Sequence, residues 1–234
     1  MRAVPRLAVV FAVGLAATLA GGATGCGAAR TAACRNGAGC AAGESCVVHA
    51  CVSGNELVSA SAQRVVVEPA GVAFVTREAD DDASGARAPT IALGASVGGG
   101  GRILLSFHGG AWKADRVLKA YLVLERAEAA RSGPGDVTLR AARIDEPWSA
   151  SAGAHTSWSS PPRSSALPGA EAPVSALGTG AIRIDVTAYA IALAKPTVRV
   201  FGLRVEGEGG GYGVPIATGM GAGRGPRLEV YTSP

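Results

Sequence analysis

Apolar and polar residues alternate along several short stretches of the chain. Residues 102–107 place Ile, Leu and Phe at every second position, and residues 182–187 do the same with Ile, Ile and Val. A period of two predicts strands with one buried face. Similar apolar runs, separated by Gly, Pro and Ser clusters, occupy residues 64–76, 90–96, 137–144, 198–206 and 227–231. About eight short strands with this punctuation predict an all-β fold, a jelly-roll-like antiparallel β-sandwich.

Residues 115–131 fit two different periods. Leu118 and Leu122 have helical spacing, and the Glu, Arg and Ala content suits a helix. The same apolar positions also alternate with Lys119 and Tyr121, as in a strand. Local sequence alone does not choose between the two. The strand patterns on either side favour β structure, because an isolated helix of this length is marginal without a face to bury.

Residues 146–162 contain two of the three tryptophans, Trp148 and Trp158, ten residues apart. We interpret this stretch as a corner of the sandwich. The Pro-, Ser- and Ala-rich residues 161–180 that follow are predicted to form a loop. Farther on, residues 188–194 are expected to form a short helical turn, which Asp185 or Thr187 caps.

The N-terminal 25 residues have the pattern of an export signal. Arg2 and Arg6 precede a small-apolar run over residues 7–19, which is shorter than the ~20 apolar residues of a transmembrane span. The run leads to Cys26 in a stretch that resembles a bacterial lipobox, although Ala23 stands where Leu is usual. We expect Cys26 to be lipidated and to anchor the chain to a membrane of the bacterial envelope. The alternative is ordinary signal cleavage, which leaves Cys26 as a thiol.

The cysteine count agrees with lipidation. The chain has five cysteines, an odd number that needs an explanation in an exported protein. If Cys26 is acylated, the remaining four can pair as disulfides, with spacing C-x5-C-x5-C-x4-C at Cys34, Cys40, Cys46 and Cys51. So short a segment cannot bury a core, so disulfides are expected to hold it together. The alternative is a zinc knuckle with His49, but tight C-x2-C pairs are lacking.

Composition limits the function classes. The net charge is only +4, and the sequence contains no Lys/Arg-rich run, so nothing indicates nucleic-acid binding. We expect three parts: a signal peptide (1–25), a lipid-anchored cysteine-rich segment with a linker (26–63), and a β-sandwich domain (64–234).

The order of these patterns resembles the disaggregatase-related DNRLRE family of carbohydrate-binding modules. Residues 100–107 are similar to its Gly-Arg-x-Leu-Leu-x-Phe strand and residues 119–124 to its x-Ala-x-Leu-x-Leu strand. Residues 146–161 resemble its Trp-Ser/Thr-Trp corner, residues 184–187 its Asp-Val-Thr motif, and residues 225–231 its closing strand.

The resemblance spans nearly all of residues 64–234. It implies a β-sandwich that binds polysaccharide, and it implies that residues 119–124 are a strand. The chain departs from the family at His108, where Asp is common, and at residues 84–89, where Asn and Gly are common. These departures bear on ligand binding rather than on the fold.

We therefore expect a non-catalytic envelope lipoprotein whose sandwich binds polysaccharide at the cell surface. The alternative is a structural or assembly module of the envelope, which binds a protein partner and has no sugar site. A hydrolase using His108, His155 and Asp185 with a serine is a third interpretation, but no Gly-x-Ser-x-Gly elbow is present.

Ligand contacts are expected on the polar faces of the strands. Lys119, Tyr121, Arg140 and Arg183 alternate with apolar residues. Together they would form a basic surface for an acidic polysaccharide, because Arg pairs carboxylates bidentately. The alternative is that they form only the solvated face of an antiparallel sheet.

Other conspicuous residues are interpreted as structural. Trp148, Trp158 and Phe107 are expected to be core residues, although tryptophans can also stack on sugar rings, and Asp185 is expected to be a turn or cap residue. No cofactor is expected. Calcium at Asp80, Asp81 and Asp82 is an alternative to a solvated acidic loop.

Overall fold

A computed structural model of the chain describes residues 44–47, 50–53, 62–77, 88–95, 100–127, 136–150, 157–175, 180–209, 211–221 and 223–234. The chain divides into two units, Met1–Arg30 and Thr31–Pro234, and every described residue lies in the second. The predicted signal peptide and several predicted site residues lie outside the described residues; these are Cys26, Cys34, Cys40, His49, Asp80, Asp81, Asp82 and His155.

The described chain consists mainly of strands. In chain order they are β1 (Glu44–Val47), β2 (Ala50–Ser53), β3 (Gln63–Val67), β4 (Gly71–Thr76), β5 (Thr90–Leu93), β6 (Gly101–Ser106), β7 (Val117–Leu124), β8 (Asp136–Ile144), β9 (Ser164–Ser175), β10 (Ile182–Asp185), β11 (Gly202–Gly209), β12 (Val214–Ala217) and β13 (Arg227–Thr232). A 3₁₀ turn (Ala114–Arg116) precedes β7, and a helix, α1 (Thr187–Leu193), follows β10.

The strands β3–β13 form two sheets. The small sheet has four antiparallel strands in the order β10-β7-β13-β3. The large sheet has seven strands in the order β12-β5-β6-β11-β8-β9, with β4 also paired to β6. The two sheets pack on each other, which confirms the predicted all-β sandwich in its general form.

The main core lies between the two sheets. Ile103, Leu105 and Leu203 from the large sheet and Leu122, Ile184 and Leu228 from the small sheet are all fully buried in one cluster. Burial of each such side chain stabilises the fold by about 1.5–3 kcal/mol. The alternating apolar positions of residues 102–107 and 182–187 therefore identify the inward faces of β6 and β10.

A second apolar cluster covers the outer face of the large sheet. Leu104 lies on the opposite side of β6 from Ile103 and is buried with Val75 and Ile144. Trp148 and Trp158 pack against this cluster. Trp148 and Trp158 of the predicted corner therefore contact the outer face of the large sheet rather than the main core.

The ambiguous stretch 115–131 contains a strand. β7 is the second strand of the small sheet, with neighbours on both sides, so the helical alternative is wrong. The helical turn expected over residues 188–194 is present as α1.

The loop expected over residues 161–180 is wrong, because β9 occupies most of it. β9 is an edge strand of the large sheet, so no strand lies on one of its sides. Its two prolines, Pro168 and Pro173, lack a backbone N–H donor and are tolerated in an edge strand for that reason. Its small residues Ala170 and Ala172 are buried. Short β12 was also not predicted.

The hairpin of β1 and β2 contains two of the cysteines predicted to form disulfides. Cys46 and Cys51 stand opposite each other in its backbone register. Within the described ranges, no helix has the length and apolar character needed to cross a membrane.

Candidate functional site

Three of the predicted ligand residues lie together on the outer face of the small sheet. Lys119 and Tyr121 alternate on β7 with Ala120 and Leu122, which belong to the main core. Arg183 lies on the adjacent strand β10, opposite Val123. We call this surface, which also includes Arg64, Asp185, Arg227, Glu229 and Tyr231, the charged face.

Glu229 is the centre of the charged face. Its carboxylate is 0% exposed and accepts hydrogen bonds from Arg64 Nη2 at 2.9 Å and Arg227 Nε at 3.2 Å. Arg183 Nη2 lies 3.7 Å away, and the Tyr231 hydroxyl donates at 3.2 Å. Burial, together with the negative charge of Glu229, raises the pKa of Tyr231 to about 12, so the hydroxyl is protonated at neutral pH.

Lys119 is paired within the charged face. Its Nζ lies 2.8 Å from Asp185 Oδ2, and Asp185 Oδ1 accepts from Thr187 N at 2.9 Å. Burial alone would raise the pKa of Asp185, but the hydrogen bonds from Lys119 and Thr187 outweigh it and the pKa lies below its ordinary value. Thr187 Oγ1 in turn accepts from Ala120 N at 3.0 Å, so Asp185 ties the start of α1 to β7.

The predicted basic surface is thus largely charge-compensated. Lys119 pairs with Asp185, and Arg183 pairs with Glu229. The fourth predicted residue, Arg140, is not on this face. It lies on β8 in the large sheet and pairs with Glu171 and Glu208.

The three tryptophans occupy two kinds of environment, the outer cluster and the main core. Trp148 is half-buried, and its Nε1 donates to Phe201 O at 2.9 Å. Trp158 is also half-buried. Trp112, which the sequence reasoning did not single out, is buried in the main core and donates to Ala190 O at 3.1 Å. Phe107 is buried in the same core, edge-on to Tyr189.

A pocket of about 310 Å³ lies beside Trp158 on the large sheet. We call it the arginine–tryptophan pocket. Its polar wall consists of side chains from the end of β4, from β6 and from β11; its lining residues are Arg77, Gly94, Ala95, Gly100, Gly101, Arg102, Trp158, Glu206, Gly207 and Glu208. Position 207 of this wall requires glycine, because a Cβ on Gly207 would lie only 2.7 Å from Gly94 N.

Two arginines contact the indole ring in this pocket. The guanidinium carbon of Arg102 lies 4.3 Å from the Trp158 ring centroid, and that of Arg77 lies 5.6 Å from it. Arg102 also donates to Trp158 O at 3.2 Å and to Glu206 at 3.2 Å. Burial lowers the pKa of Arg102, and attraction to Glu206 partly offsets this. Arg102 therefore fixes both the ring and the backbone of Trp158.

The carboxylates of the pocket belong to an ion-pair ladder across the large sheet. Glu206 pairs with Arg102 and Arg204, and Glu208 pairs with Arg140. Arg140, predicted from sequence as a ligand contact, therefore holds a residue that lines the pocket. Sequence reasoning missed Arg77, Arg102, Glu206 and Glu208, because the pairing of β6 with both β4 and β11 brings them together.

Arg77 differs from the other arginine of the pocket. It is exposed, and its backbone N–H donates to Gly100 O at 3.1 Å. Among the described residues, no carboxylate lies within ion-pair distance of its guanidinium. Its guanidinium lines the pocket and is open to solvent.

The sequence also suggested a hydrolase triad and a metal site. For the triad, Asp185 is hydrogen-bonded to Lys119 and Thr187, whereas His108 is exposed. These two residues of the suggested triad therefore have separate environments. In the described part of the chain, no group of three or more His, Cys, Asp or Glu side chains is arranged to hold a metal ion.

A scan against protein-family models found no match to this chain, and a search of curated proteins found none either. The resemblance to the DNRLRE family therefore stays a prediction from the motifs.

Proposed function

We propose that this chain is a non-catalytic lipoprotein of the bacterial envelope whose β-sandwich binds polysaccharide in the arginine–tryptophan pocket. One observation carries the proposal: an indole ring, two guanidinium groups and two carboxylates line one pocket of about 310 Å³ on the large sheet. That volume is at the lower end of the ~300–1,000 Å³ range of small-molecule sites.

The chemistry of this pocket suits a sugar. A sugar ring has an apolar C–H face and a rim of hydroxyl groups, each of which both donates and accepts hydrogen bonds. The part of the Trp158 indole that Arg102 and the outer cluster leave exposed supplies an apolar surface. Arg77 and Arg102 supply donors, and Glu206 and Glu208 supply acceptors. The pocket is small, but neighbouring sugar units of a polysaccharide can contact the surface of the large sheet outside the pocket.

The N-terminal part of the proposal rests on sequence. Residues 1–25 direct export, Cys26 carries the lipid, and a disulfide-bonded segment with Cys34, Cys40, Cys46 and Cys51 joins the anchor to the sandwich. We also propose that the sandwich is jelly-roll-like. Replacing Cys26 by Ser should release the protein from membranes, and unchanged membrane fractionation would contradict lipid anchoring.

The binding experiment uses the exported chain carrying Cys26→Ser, which lacks the acylation site. The purified protein is tested against immobilised polysaccharides, and hits are measured by calorimetry. We expect Trp158→Ala to weaken binding at least tenfold. The control is Tyr212→Ala, which removes an exposed aromatic ring that does not line the pocket. If the folded protein binds no polymer, the proposal fails.

The second candidate is a structural or assembly module that binds an envelope protein. It is favoured by the pairing of Lys119 and Arg183 with Asp185 and Glu229 on the charged face, because a surface with its charges already paired is not built for an acidic polymer. A photo-crosslinking residue in place of the exposed Val66, which lies opposite Glu229 in the register of β3 and β13, would capture such a partner in intact cells. Capture of one discrete protein, together with no polysaccharide binding, would support this candidate.

A further inference from the structure

We infer that the arginine–tryptophan pocket takes an uncharged sugar residue with free neighbouring hydroxyls, rather than a uronate or a sulfated sugar. This inference rests on the proposed function, since it names the ligand class of the same site. It also reverses the expectation of an acidic polysaccharide that the basic residues of the sequence suggested.

The charges of the described lining residues are balanced. They include two arginines, Arg77 and Arg102, and two glutamates, Glu206 and Glu208, so the formal charges of these four side chains cancel. The guanidinium of Arg102 is already shared between Glu206 and the carbonyl oxygen of Trp158. An anionic ligand would have to displace one of these contacts.

An anion in the pocket would gain no net electrostatic attraction. The side chains of Glu206 and Glu208 are 34% and 66% exposed, and Arg77 is exposed as well. Solvent therefore screens the repulsion from the glutamates and the attraction to Arg77 alike. An anionic ligand would lose hydration on entering the pocket without a compensating attraction, and the same holds for a cationic ligand.

Hydroxyl groups satisfy the pocket without this conflict. A carboxylate can accept from two neighbouring hydroxyls, because its two oxygens offer about four lone-pair sites. Glu208 is the better placed of the two, because its side chain is 66% exposed while Arg140 holds it in position. Arg77, which also lines the pocket and is exposed, can donate to the same sugar. Hydrogen bonds between a charged group and a neutral partner are stronger than those between two neutral groups.

The test compares neutral and acidic polymers on the Cys26→Ser chain. The probes are dextran, mannan and galactan as neutral polymers, and polygalacturonate and dextran sulfate as acidic ones. Each is measured at 50 mM and 500 mM NaCl. We expect binding to at least one neutral polymer, with an affinity that changes less than twofold between the two salt concentrations, because no net charge is neutralised.

A matched pair of variants assigns the binding to this pocket. Glu208 and Glu171 both pair with Arg140, but only Glu208 lines the pocket. Glu208→Gln should weaken binding to the neutral polymer about fivefold to tenfold, and Glu171→Gln should leave it within twofold. Thermal unfolding of both variants checks that they are folded.

The outcomes separate the inference from the proposed function. Binding only to acidic polymers, weakened by salt, would overturn the inference and leave polysaccharide binding intact. Neutral binding that Glu208→Gln does not change would overturn the assignment to this pocket. If no polymer binds to the folded protein, the proposed function fails and the inference fails with it.

Discussion

Arg102 and Trp158 are joined twice, through the ring and through the backbone. The Arg102 guanidinium carbon lies 4.3 Å from the ring centroid of Trp158, and its Nη1 donates to the Trp158 carbonyl oxygen at 3.2 Å. Arg102 is on a central strand of the large sheet, whereas Trp158 belongs to the corner after β8. One side chain therefore fastens the corner to the sheet and sets one wall of the pocket.

Arg102→Met should loosen this corner. The side chain of Arg102 is 12% exposed, so the cation–π contact and the hydrogen bonds are partly desolvated, and we expect a loss of about 2–3 kcal/mol in unfolding free energy. In denaturant titrations Arg77→Met, which removes the exposed arginine, should change stability by no more than about 0.5 kcal/mol. Equal stability of the two variants would contradict the role given to Arg102.

The buried carboxylate of Glu229 should be more costly to remove. Glu229→Gln preserves the shape of the side chain but leaves Arg64, Arg183 and Arg227 close together without their shared negative charge. Breaking a buried ion pair on one side costs about 3–5 kcal/mol, which lowers Tm by roughly 6–20 °C in a domain of this size.

The control for Glu229 is Glu171→Gln, which neutralises a carboxylate 56% exposed on the other sheet. Its Tm should stay close to that of the parent protein, because surface ion pairs contribute little. If the Glu229→Gln protein has the same Tm as the parent protein, then the negative charge of Glu229 is not required to keep the three arginines together.

The strands of the main core could be predicted because each has a local signature. Residues 102–107 and 182–187 alternate with period two, and both stretches are strands with buried alternate positions. β9 could not be predicted in this way. Its buried positions are Ala170, Ala172 and Val174, in a stretch that also contains two prolines. An edge strand needs only one neighbour, so its sequence signal resembles that of a loop.

The candidate site was harder to predict because it depends on which strands are neighbours. Alternation correctly placed Lys119, Tyr121 and Arg183 opposite the apolar residues, and the small sheet brings them together. The sequence did not reveal their carboxylate partners. The pocket requires β6 to lie beside β11 and the end of β4 to lie beside β6. The contact of β6 with β11 joins positions about a hundred residues apart. No local sequence pattern predicts such pairings.

The pair of Lys119 and Asp185 should make stability depend on pH. The pKa of Asp185 is lowered in the folded protein, so the folded state binds fewer protons there than the unfolded chain. The contribution to stability is present above the unfolded pKa of about 3.9 and is lost as pH falls through the lower folded pKa. Both side chains are 35% exposed, so solvent screening limits the expected contribution to about 1 kcal/mol.

Asp185→Asn should therefore reduce the unfolding free energy at pH 7 and converge with the parent protein near the acid end of a pH series. Urea titrations between pH 2.5 and 7 measure this difference. Asp136→Asn, at an exposed position that begins β8, is the matched control and should run parallel to the parent. A constant deficit for Asp185→Asn at every pH would indicate a loss of packing rather than of charge.

Trp112 and Trp148 should differ in their contribution to stability. Trp112 is buried in the main core, and its replacement by Ala is expected to cost about 3–5 kcal/mol. Trp148 is half-buried on the outer cluster with one hydrogen bond to Phe201, so Trp148→Ala should cost less, about 2–3 kcal/mol. A fully stable Trp148→Ala protein that has lost sugar binding would make Trp148 a ligand contact instead.

Gly202 allows β11 to begin beside β6 and beneath Trp148. Its φ is 150°, and an added Cβ would collide with the carbonyl oxygen of Leu105 and lie 3.0 Å from Trp148 Nε1. The first neighbour is backbone of a central strand, which cannot move aside without breaking its pairing. Gly202→Ala should therefore destabilise the protein by about 3 kcal/mol or more, measured by thermal and urea unfolding.

Gly169 provides the comparison that isolates this collision. Its φ is 74°, also in the left-handed region, but nothing lies within 4 Å of an added Cβ. Gly169→Ala should cost only the backbone strain of about 1–2 kcal/mol. If both substitutions cost the same, then strain alone explains Gly202, and the close approach of β11 to β6 at this point is not a constraint on the fold. A larger loss at Gly202, accompanied by a red shift of tryptophan fluorescence, would place the damage where Gly202 approaches the Leu105 carbonyl oxygen and the Trp148 indole.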